Sequence, residues 1–256
     1  MEMKGITMYT KIGIFDSGIG GVTVLNECVK LVPCFQYLYY SDSLHNPYGD
    51  SSKDDVISYC DNIVKYFISR GCYIIVIACN TASAISVNYL REKYKDIYFI
   101  AIEPAIKMAY DNGCKSTLIL ATKGTMDSER FRELYNKYHY DNFYLYSCIG
   151  LANLIEKGNE LEIDNYIKKN LSKYYGKVSS VVLGCTHYPL VKDRISKVLH
   201  NNVFYDGSLG VAKQLKRIIK DNSFVGDKKT IINFEDSTGS VEKRKRFYIF
   251  LGGDYE

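Results

Sequence analysis

The sequence lacks the features that would assign it at once to several large classes of protein. No apolar run approaches the about 20 residues of a membrane-spanning helix. The glycine-rich stretch from Asp16 to Gly21 has neither the GxGxxG spacing nor a following Gly-Lys-[Ser/Thr], which argues against a dinucleotide fingerprint and a P-loop. No two cysteines are spaced as CxxC, so nothing indicates a structural zinc or a thioredoxin-like site. Tryptophan is absent beside 24 tyrosines, which we interpret as composition bias.

The charge balance and the cysteines narrow the expected partners and compartment. A net charge of +4 is too small to predict binding to nucleic acid or to a membrane surface. Eight cysteines occur without a signal peptide or the spacing of a secreted framework, so we expect a cytoplasmic protein with reduced thiols. With 256 residues, 46% of them apolar, the chain can form one large domain or two of moderate size around a substantial core.

One stretch, residues 74–84, predicts a junction between a buried strand and a helix. Four apolar residues, Ile74 to Ile77, are typical of a strand covered on both faces, and a helical pattern follows. Asn80 and Thr81 are residue types that cap helices, so Cys79 would stand where the strand ends and the helix begins. Open α/β sheets bind ligands at such junctions, although a single cysteine there is more often a packing residue.

A second stretch repeats this construction and changes the interpretation of Cys79. Residues 180–187 again give an apolar strand, a small residue, a cysteine (Cys185) and a capping residue. Cys79 and Cys185 are 106 residues apart, and so are Asp16 and Thr122, which end two other similar strands. Two matched junctions at one offset predict an internal repeat of half-barrel or doubly wound type. Two related halves would then present two cysteines to one cleft from opposite sides.

Proline and small residues indicate where the chain crosses between these halves. A strand over residues 97–102 ends at Glu103-Pro104, and small residues follow a short strand at Asp206–Gly210. We therefore predict two open-sheet α/β domains with the active site in the cleft between them. The first comprises residues 11–103 plus 211–256 and carries Cys79, and the second comprises residues 104–210 and carries Cys185.

The C-terminal part of the chain gives weaker patterns. Ile231–Phe234 and Phe247–Leu251 are predicted to form a hairpin at the edge of a sheet. The basic run Lys243–Arg246 predicts a solvated face or the flank of a strand.

Several of these motifs, taken together and in order, resemble the glutamate racemase family from Lys11 onward. The motifs are Asp16-Ser17-Gly18-Ile19-Gly20-Gly21, Pro47-Tyr48-Gly49, Ala78-Cys79-Asn80-Thr81-Ala82, Glu103-Pro104, the Ala-Thr-x-x-Thr pattern of residues 121–125, and Gly184-Cys185-Thr186-His187-Tyr188-Pro189-Leu190. The resemblance implies a pseudo-symmetric pair of α/β domains and a racemase that uses no cofactor and no metal, supplying D-glutamate for peptidoglycan synthesis. Residues 43–46 depart from the Thr-Ala-Arg-like run of the family, and no Pro-Leu pair precedes Glu156.

The chemistry of racemisation explains why two cysteines would be needed. A proton must leave one face of the α-carbon and another must arrive on the opposite face. Two fixed acid–base groups achieve this without movement, one as thiolate and the other as thiol, and a free thiol has a pKa of about 8.5. By resemblance, Asp16 lies beside Cys79, and Glu156 and His187 lie beside Cys185, where they would hold the substrate ammonium group or assist proton transfer.

The predicted substrate-binding residues supply donors for the two carboxylates of an amino-acid substrate. Amide and hydroxyl groups at the strand ends would hold the α-carboxylate, threonines would form a polar pocket for the side chain, and a Pro-Tyr-Gly turn would offer amides and a phenol. The set is Asp16, Ser17, Pro47, Tyr48, Gly49, Asn80, Thr81, Thr122, Thr125, Thr186 and His187. The partner is thus an amino acid, with no nucleic acid or membrane involved, and the sequence leaves a homodimer open.

Three other functions remain open on the sequence. A racemase of the same superfamily could act on aspartate or another amino acid. A thiol hydrolase could use Cys185 and His187, in which case Cys79 would be dispensable. A binding module without catalysis could retain the cleft, although both thiols are intact.

Overall fold

The computed structural model describes residues 10–201 and 203–253. Strands and helices alternate along most of this range. In chain order they are β1 Lys11–Asp16, α1 Val22–Leu31, β2 Gln36–Ser41, α2 Lys53–Ser69, β3 Cys72–Ile77, α3 Asn80–Lys93, β4 Tyr98–Ala101, α4 Ile106–Asp111, β5 Ser116–Ala121, α5 Lys123–Met126, α6 Glu129–Lys137, β6 Asn142–Ser147, α7 Leu151–Lys157, α8 Glu160–Leu171, β7 Ser180–Gly184, α9 Lys192–Leu199, β8 Phe204–Tyr205, α10 Ser208–Asp221, β9 Ile231–Asp236 and α11 Val241–Leu251.

Two parallel sheets organise the described residues. The first has the order β4-β3-β1-β2-β9 and the second the order β6-β5-β7-β8. Central strands such as β1 and β7 are buried almost throughout, because helices cover both faces of a parallel sheet. The predicted α/β fold is therefore confirmed. None of the helices in the described ranges is both long and apolar enough to cross a membrane.

The strand order of the two sheets reproduces the repeat seen in the sequence. β1 lies between β2 and β3 in the first sheet, and β5 lies between β6 and β7 in the second. β1 and β5 end at Asp16 and Ala121, and β3 and β7 lead into Cys79 and Cys185. The matched pairs thus occupy equivalent positions, while β9 is an additional edge strand of the first sheet.

The predicted C-terminal hairpin is wrong. β9 pairs in parallel with β2, and residues 241–251 form a helix. The hydroxyl of Ser240 accepts a hydrogen bond from the amide of Lys243 and begins this helix, and Gly252 ends it in the left-handed conformation. Phe247 is fully buried, with its ring centroid 4.3 Å from that of Phe234. The spacing of Phe247, Phe250 and Leu251 was helical, a pattern that the strand interpretation overlooked.

The predicted solvated basic run is only partly correct. Arg244 and Lys245 are exposed, but Lys243 and Arg246 are half-buried. These two side chains contact α7, which follows a strand of the second sheet. Residues three apart share one face of a helix, so Lys243 and Arg246 face the protein while Arg244 and Lys245 face solvent.

Candidate active site

The carboxyl ends of the central strands of the two sheets face each other. The hydroxyl of Thr186 donates to both carboxylate oxygens of Asp16 at 3.2 Å. The amide of Ile19 donates to Oε2 of Glu156 at 3.1 Å. The hydroxyl oxygens of Thr81 and Thr122 lie 2.9 Å apart. Polar residues from both halves therefore meet directly, as expected at the carboxyl ends of parallel strands.

Cys79 is the N-cap of α3 and is almost completely buried. Its sulfur accepts a hydrogen bond from the amide of Ala82 at 3.5 Å and lies 3.8 Å from the hydroxyl of Ser17. Asn80 and Thr81, the predicted caps, instead form the first residues of the helix. Burial, reinforced by the negative charge of Asp16, raises the pKa of Cys79 well above its ordinary value. This geometry favours the thiol form of Cys79.

Asp16 is completely buried at the end of β1. Its carboxylate accepts the amide of Gly21 at 2.9 Å as well as the hydroxyl of Thr186. Burial raises the pKa of Asp16, while the charge of His187 and the bond from Gly21 oppose this, and the net shift is upward.

On the other side, Cys185, His187 and Glu156 form a chain of contacts. Nδ1 of His187 lies 3.9 Å from Sγ of Cys185, and Nε2 lies 2.7 Å from Oε2 of Glu156. Burial alone would lower the pKa of His187, but its contacts with Cys185 and Glu156 raise it well above the ordinary value. Burial would also raise the pKa of Glu156, yet the hydrogen bond and charge of His187, followed by the charge of Lys243, lower it to about 2. Both shifts favour the imidazolium form of His187 and the carboxylate form of Glu156.

Two glycines of the turn after β1 allow this close approach. A Cβ on Gly20 would lie 2.6 Å from Nδ1 of His187, and one on Gly18 would collide with the carboxylate of Glu156. The glycine-rich turn thus provides room for groups of the other half.

The threonines form a hydroxyl cluster across the two halves. Thr81 Oγ1 lies 3.2 Å from Thr125 Oγ1, and Thr122 donates to Thr125 at 2.9 Å. Asn80 is buried nearby, and its Oδ1 has no hydrogen-bond partner among the described residues. A cavity of about 770 Å³ borders this cluster at Gly49 and Gly124. Neither cysteine lines that cavity.

The Pro-Tyr-Gly turn lies in the same region but uses its phenol internally. The hydroxyl of Tyr48 donates to Oδ2 of Asp42 at 2.5 Å, and Nδ1 of His45 lies 2.9 Å from the same oxygen. The segment joins Ser17 through Asn46, whose amide donates to the Ser17 carbonyl at 3.0 Å. Pro47 follows Asn46 through a cis peptide bond, and a Cβ on Gly49 would lie 3.0 Å from Cβ of Thr122. Tyr48 thus orders Asp42 rather than presenting a free hydroxyl.

Sequence reasoning did not identify three residues at this site: Asn46, Lys243 and Arg246. Asn46 stands where the chain departs from the family pattern, and only its contact with Ser17 reveals its place. Lys243 and Arg246 both contact Glu156, and Arg246 lies 90 residues from it in the sequence. No local pattern could have indicated them.

Comparison with known proteins assigns the chain to a class and then to a group within it. Residues 31–213 match the family described as Asp/Glu/Hydantoin racemase, and the chain belongs to this family. Within it, the chain is 41% identical over 244 residues to the glutamate racemase of Clostridium perfringens, covering 91% of this chain and 92% of the relative. It is 40% identical over 238 residues to that of Clostridium novyi, covering 90% and 89%. The resemblance inferred from the motifs is thereby confirmed.

Solved structures agree with this assignment. The glutamate racemase of Francisella tularensis in complex with D-glutamate has a TM-score of 0.82 and 26% identity, covering 96% of this chain and 95% of that one. The Escherichia coli glutamate racemase in complex with L-glutamate and the activator UDP-MurNAc-Ala has a TM-score of 0.80 and 26% identity, covering 94% and 96%.

Proposed function

We propose that this chain interconverts L- and D-glutamate without a cofactor, using Cys79 and Cys185 as the two acid–base groups. One observation carries the proposal. The two thiols follow structurally equivalent strands of two sheets whose carboxyl ends face each other, and each thiol has its own buried ionisable neighbour. The similarity to glutamate racemases, two of them solved with a glutamate enantiomer, supports glutamate as the substrate.

The proton transfers follow from this arrangement. In one direction the thiolate of one cysteine takes the α-proton, and the electron pair of the C–H bond remains on the α-carbon and its carboxylate. The thiol of the other cysteine then donates its proton to the opposite face. The reverse reaction exchanges the two roles, so neither cysteine needs to move around the substrate.

The neighbours of the two thiols have different tasks. The imidazolium of His187 stabilises negative charge on Cys185, and Glu156 keeps that imidazole protonated and oriented. On the other side, a carboxylate at Asp16 attracts the substrate ammonium group close to Cys79. Ser17, Asn80 and Thr186 supply donors for the α-carboxylate, which shares the negative charge of the carbanion.

The hydroxyl cluster of Thr81, Thr122 and Thr125 supplies donors to the side-chain carboxylate. The Pro47–Gly49 turn encloses this end of the cleft and contributes backbone groups. Cys79 and Cys185 are only 5% and 7% exposed, so substrate entry requires the two halves to separate. We propose that the two halves that separate are the predicted domains, residues 11–103 plus 211–256 and residues 104–210.

The decisive experiment measures both bond cleavage and inversion. The protein is incubated in D₂O with each enantiomer of glutamate and of aspartate, and α-deuterium uptake and optical rotation are followed. We expect both signals with either enantiomer of glutamate and much weaker ones with aspartate. Exchange with aspartate alone would favour an aspartate racemase, and absence of exchange would leave the thiol hydrolase or a binding module.

The cellular role and assembly follow as further proposals. D-glutamate formed in the cytoplasm would supply peptidoglycan synthesis. The test is to deplete the protein in a medium without D-glutamate, where we expect the cells to lyse. A homodimer is tested by sedimentation equilibrium.

A further inference from the structure

The C-terminal helix α11 packs against the first sheet but also contacts α7, a helix of the second half. Phe247 anchors it, because its buried ring packs 4.8 Å from that of Tyr39 and 4.3 Å from that of Phe234. Lys243 and Arg246 lie on the face of α11 that contacts α7, since residues three apart are neighbours on a helix. Two cations are thus held against the helix that carries Glu156.

The two cations contact different parts of the Glu156 region. Nζ of Lys243 lies 3.1 Å from Oε1 of Glu156, with side chains 22% and 5% exposed. Arg246 donates to the backbone carbonyl of Ile155 at 2.9 Å and to that of Glu156. Arg246 therefore fixes the last turn of α7, and Lys243 faces the carboxylate that this turn presents.

The two carboxylate oxygens of Glu156 have different interaction partners. Oε2 accepts Nε2 of His187 at 2.7 Å and the amide of Ile19 at 3.1 Å. Oε1 accepts no hydrogen bond from the described residues, and Lys243 is its ionic partner. A buried carboxylate oxygen without a hydrogen bond is costly unless a charge compensates it. Lys243 supplies that charge.

The remaining charged groups around this chain of contacts come from several elements. Asp16, at the end of β1, acts electrostatically on both Glu156 and His187, and Cys185 contacts His187 from the segment after β7. Asp236, at the end of β9, also acts electrostatically on Lys243. Asp16 disfavours a second negative charge at Glu156, so the two cations His187 and Lys243 together keep Glu156 ionised.

We propose that Lys243 is a positioning residue for the half-reaction of Cys185: its ammonium group holds the Glu156 carboxylate in place, and Glu156 in turn holds the His187 imidazolium against Sγ of Cys185. Arg246 anchors the same turn through its backbone. The inference rests on the proposed function, since it assigns a role within that reaction. It makes the C-terminal segment part of the machinery of the second half.

A test must separate the two halves of the reaction. The equilibrium constant of a racemisation is one, so kcat/KM in the two directions must change together in any variant. β-Chloroglutamate avoids this constraint, because after α-proton abstraction the electron pair expels chloride. The resulting enamine is hydrolysed to 2-oxoglutarate and ammonium. The enantiomer whose elimination is lost in Cys185→Ser identifies the substrate served by Cys185.

The variants are Lys243→Met, the conservative Lys243→Arg, and Arg244→Met as a matched control, because Arg244 is exposed on the same helix. We expect Lys243→Met to lower elimination from the Cys185-served enantiomer about tenfold and to leave the other enantiomer nearly unchanged. Lys243→Arg should recover most of this loss, and Arg244→Met should have no effect. In a Glu156→Gln background, Lys243→Met should cause little further loss.

A second readout does not depend on turnover. The ¹⁵N resonances of His187 report its protonation. Removing the charge of Lys243 by itself would raise the pH at which His187 loses its proton, whereas displacement of the Glu156 carboxylate would lower it. The proposal requires the second effect to dominate, so we expect His187 to lose its proton at a lower pH in Lys243→Met than in the parent. If the parent failed to racemise glutamate, the proposed function would fail while this titration still tested the role of Lys243. An unchanged titration, or equal loss of elimination for both enantiomers, would overturn the proposal. If Lys243→Met does not fold, the comparison of Lys243→Gln with Lys243→Arg decides by the same criteria.

Discussion

Replacing Gly20 by alanine should disable the Cys185 side of the site while leaving the Cys79 side intact. Gly20 lies in the turn between β1 and α1 and does not have the positive φ that only glycine adopts readily. Alanine is therefore compatible with the backbone. Its Cβ would nevertheless lie 2.6 Å from Nδ1 and 2.8 Å from Cε1 of His187, where an ordinary contact is 3.4 Å or longer.

The size of the effect follows from how tightly His187 is held. To relieve the collision the ring must move by roughly 1 Å, and it is completely buried between Glu156 and Cys185. Overpacking of this kind costs about 1–3 kcal/mol of stability. A displacement of about 1 Å at a reacting group costs on the order of 100-fold in rate. We expect a folded protein with racemisation reduced about 100-fold.

The assay measures racemisation of L-glutamate by circular dichroism and elimination from each enantiomer of β-chloroglutamate. Gly210→Ala is the control, because the Cβ it would add in α10 has no described atom within 4 Å apart from its chain neighbours and the adjacent backbone of its own helix. Gly21→Ala is the mirror experiment, since its Cβ would lie 2.7 Å from the hydroxyl of Tyr39 and 2.8 Å from Cβ of Asp16. Gly20→Ala and Gly21→Ala should therefore impair elimination from opposite enantiomers.

Two results would refute this reasoning. Racemisation by Gly20→Ala within about threefold of the parent would show that His187 can move without consequence. Loss of elimination from the Cys79-served enantiomer alone would show that the two sides are assigned to the wrong thiols.

Three further predictions follow from the same geometry. Cys79→Ser and Cys185→Ser should each reduce racemisation by orders of magnitude, because a serine hydroxyl is a far poorer base than a thiolate. Each variant should retain elimination for one enantiomer only, and retained racemisation in either would contradict the two-base mechanism. From the resemblance to glutamate racemases we expect Cys79 to abstract the proton of the D-enantiomer. The depressed pKa of Glu156 contributes stability that is fully present above the usual pKa of a glutamate and lost as the pH falls toward about 2. Between about pH 5 and pH 2, the free energy of unfolding measured by urea titration should therefore fall by up to about 3 kcal/mol less in Glu156→Gln than in the parent. Parallel curves of this free energy against pH would exclude the linkage. Activity should survive exhaustive dialysis against a chelator with a thiol reductant present, and a loss restored by added metal would count against a cofactor-free reaction.

Local sequence patterns were sufficient for the strand-to-helix junctions and for the repeat. The apolar run before Cys79 and its counterpart before Cys185 each specify a strand that is buried on both faces. The helix α3 begins directly after Cys79, whereas α9 begins only at Lys192, seven residues after Cys185. Such signals depend only on neighbouring residues, because hydrophobic periodicity and helix capping act within a few positions of the chain. The matched offset then followed without any knowledge of packing.

The same local reasoning failed at the C-terminus. β-Branched and aromatic residues near Phe247 suggested a strand, but burial of that ring against Tyr39 and Phe234 requires the spacing of a helix. Intrinsic preference is a weak guide where packing decides, so the error occurred where the pattern was short and mixed.

The sequence by itself determined that two thiols stand at equivalent strand ends in an α/β protein. Only the tertiary structure decided what lies beside each of them. Burial and the charge of Asp16 raise the pKa of Cys79, His187 faces Cys185, and Lys243 completes the environment of Glu156. The physical reason is that burial and charge act through space: both change the ionisation of a group according to its neighbours in the folded chain, and those neighbours come from segments far apart in sequence.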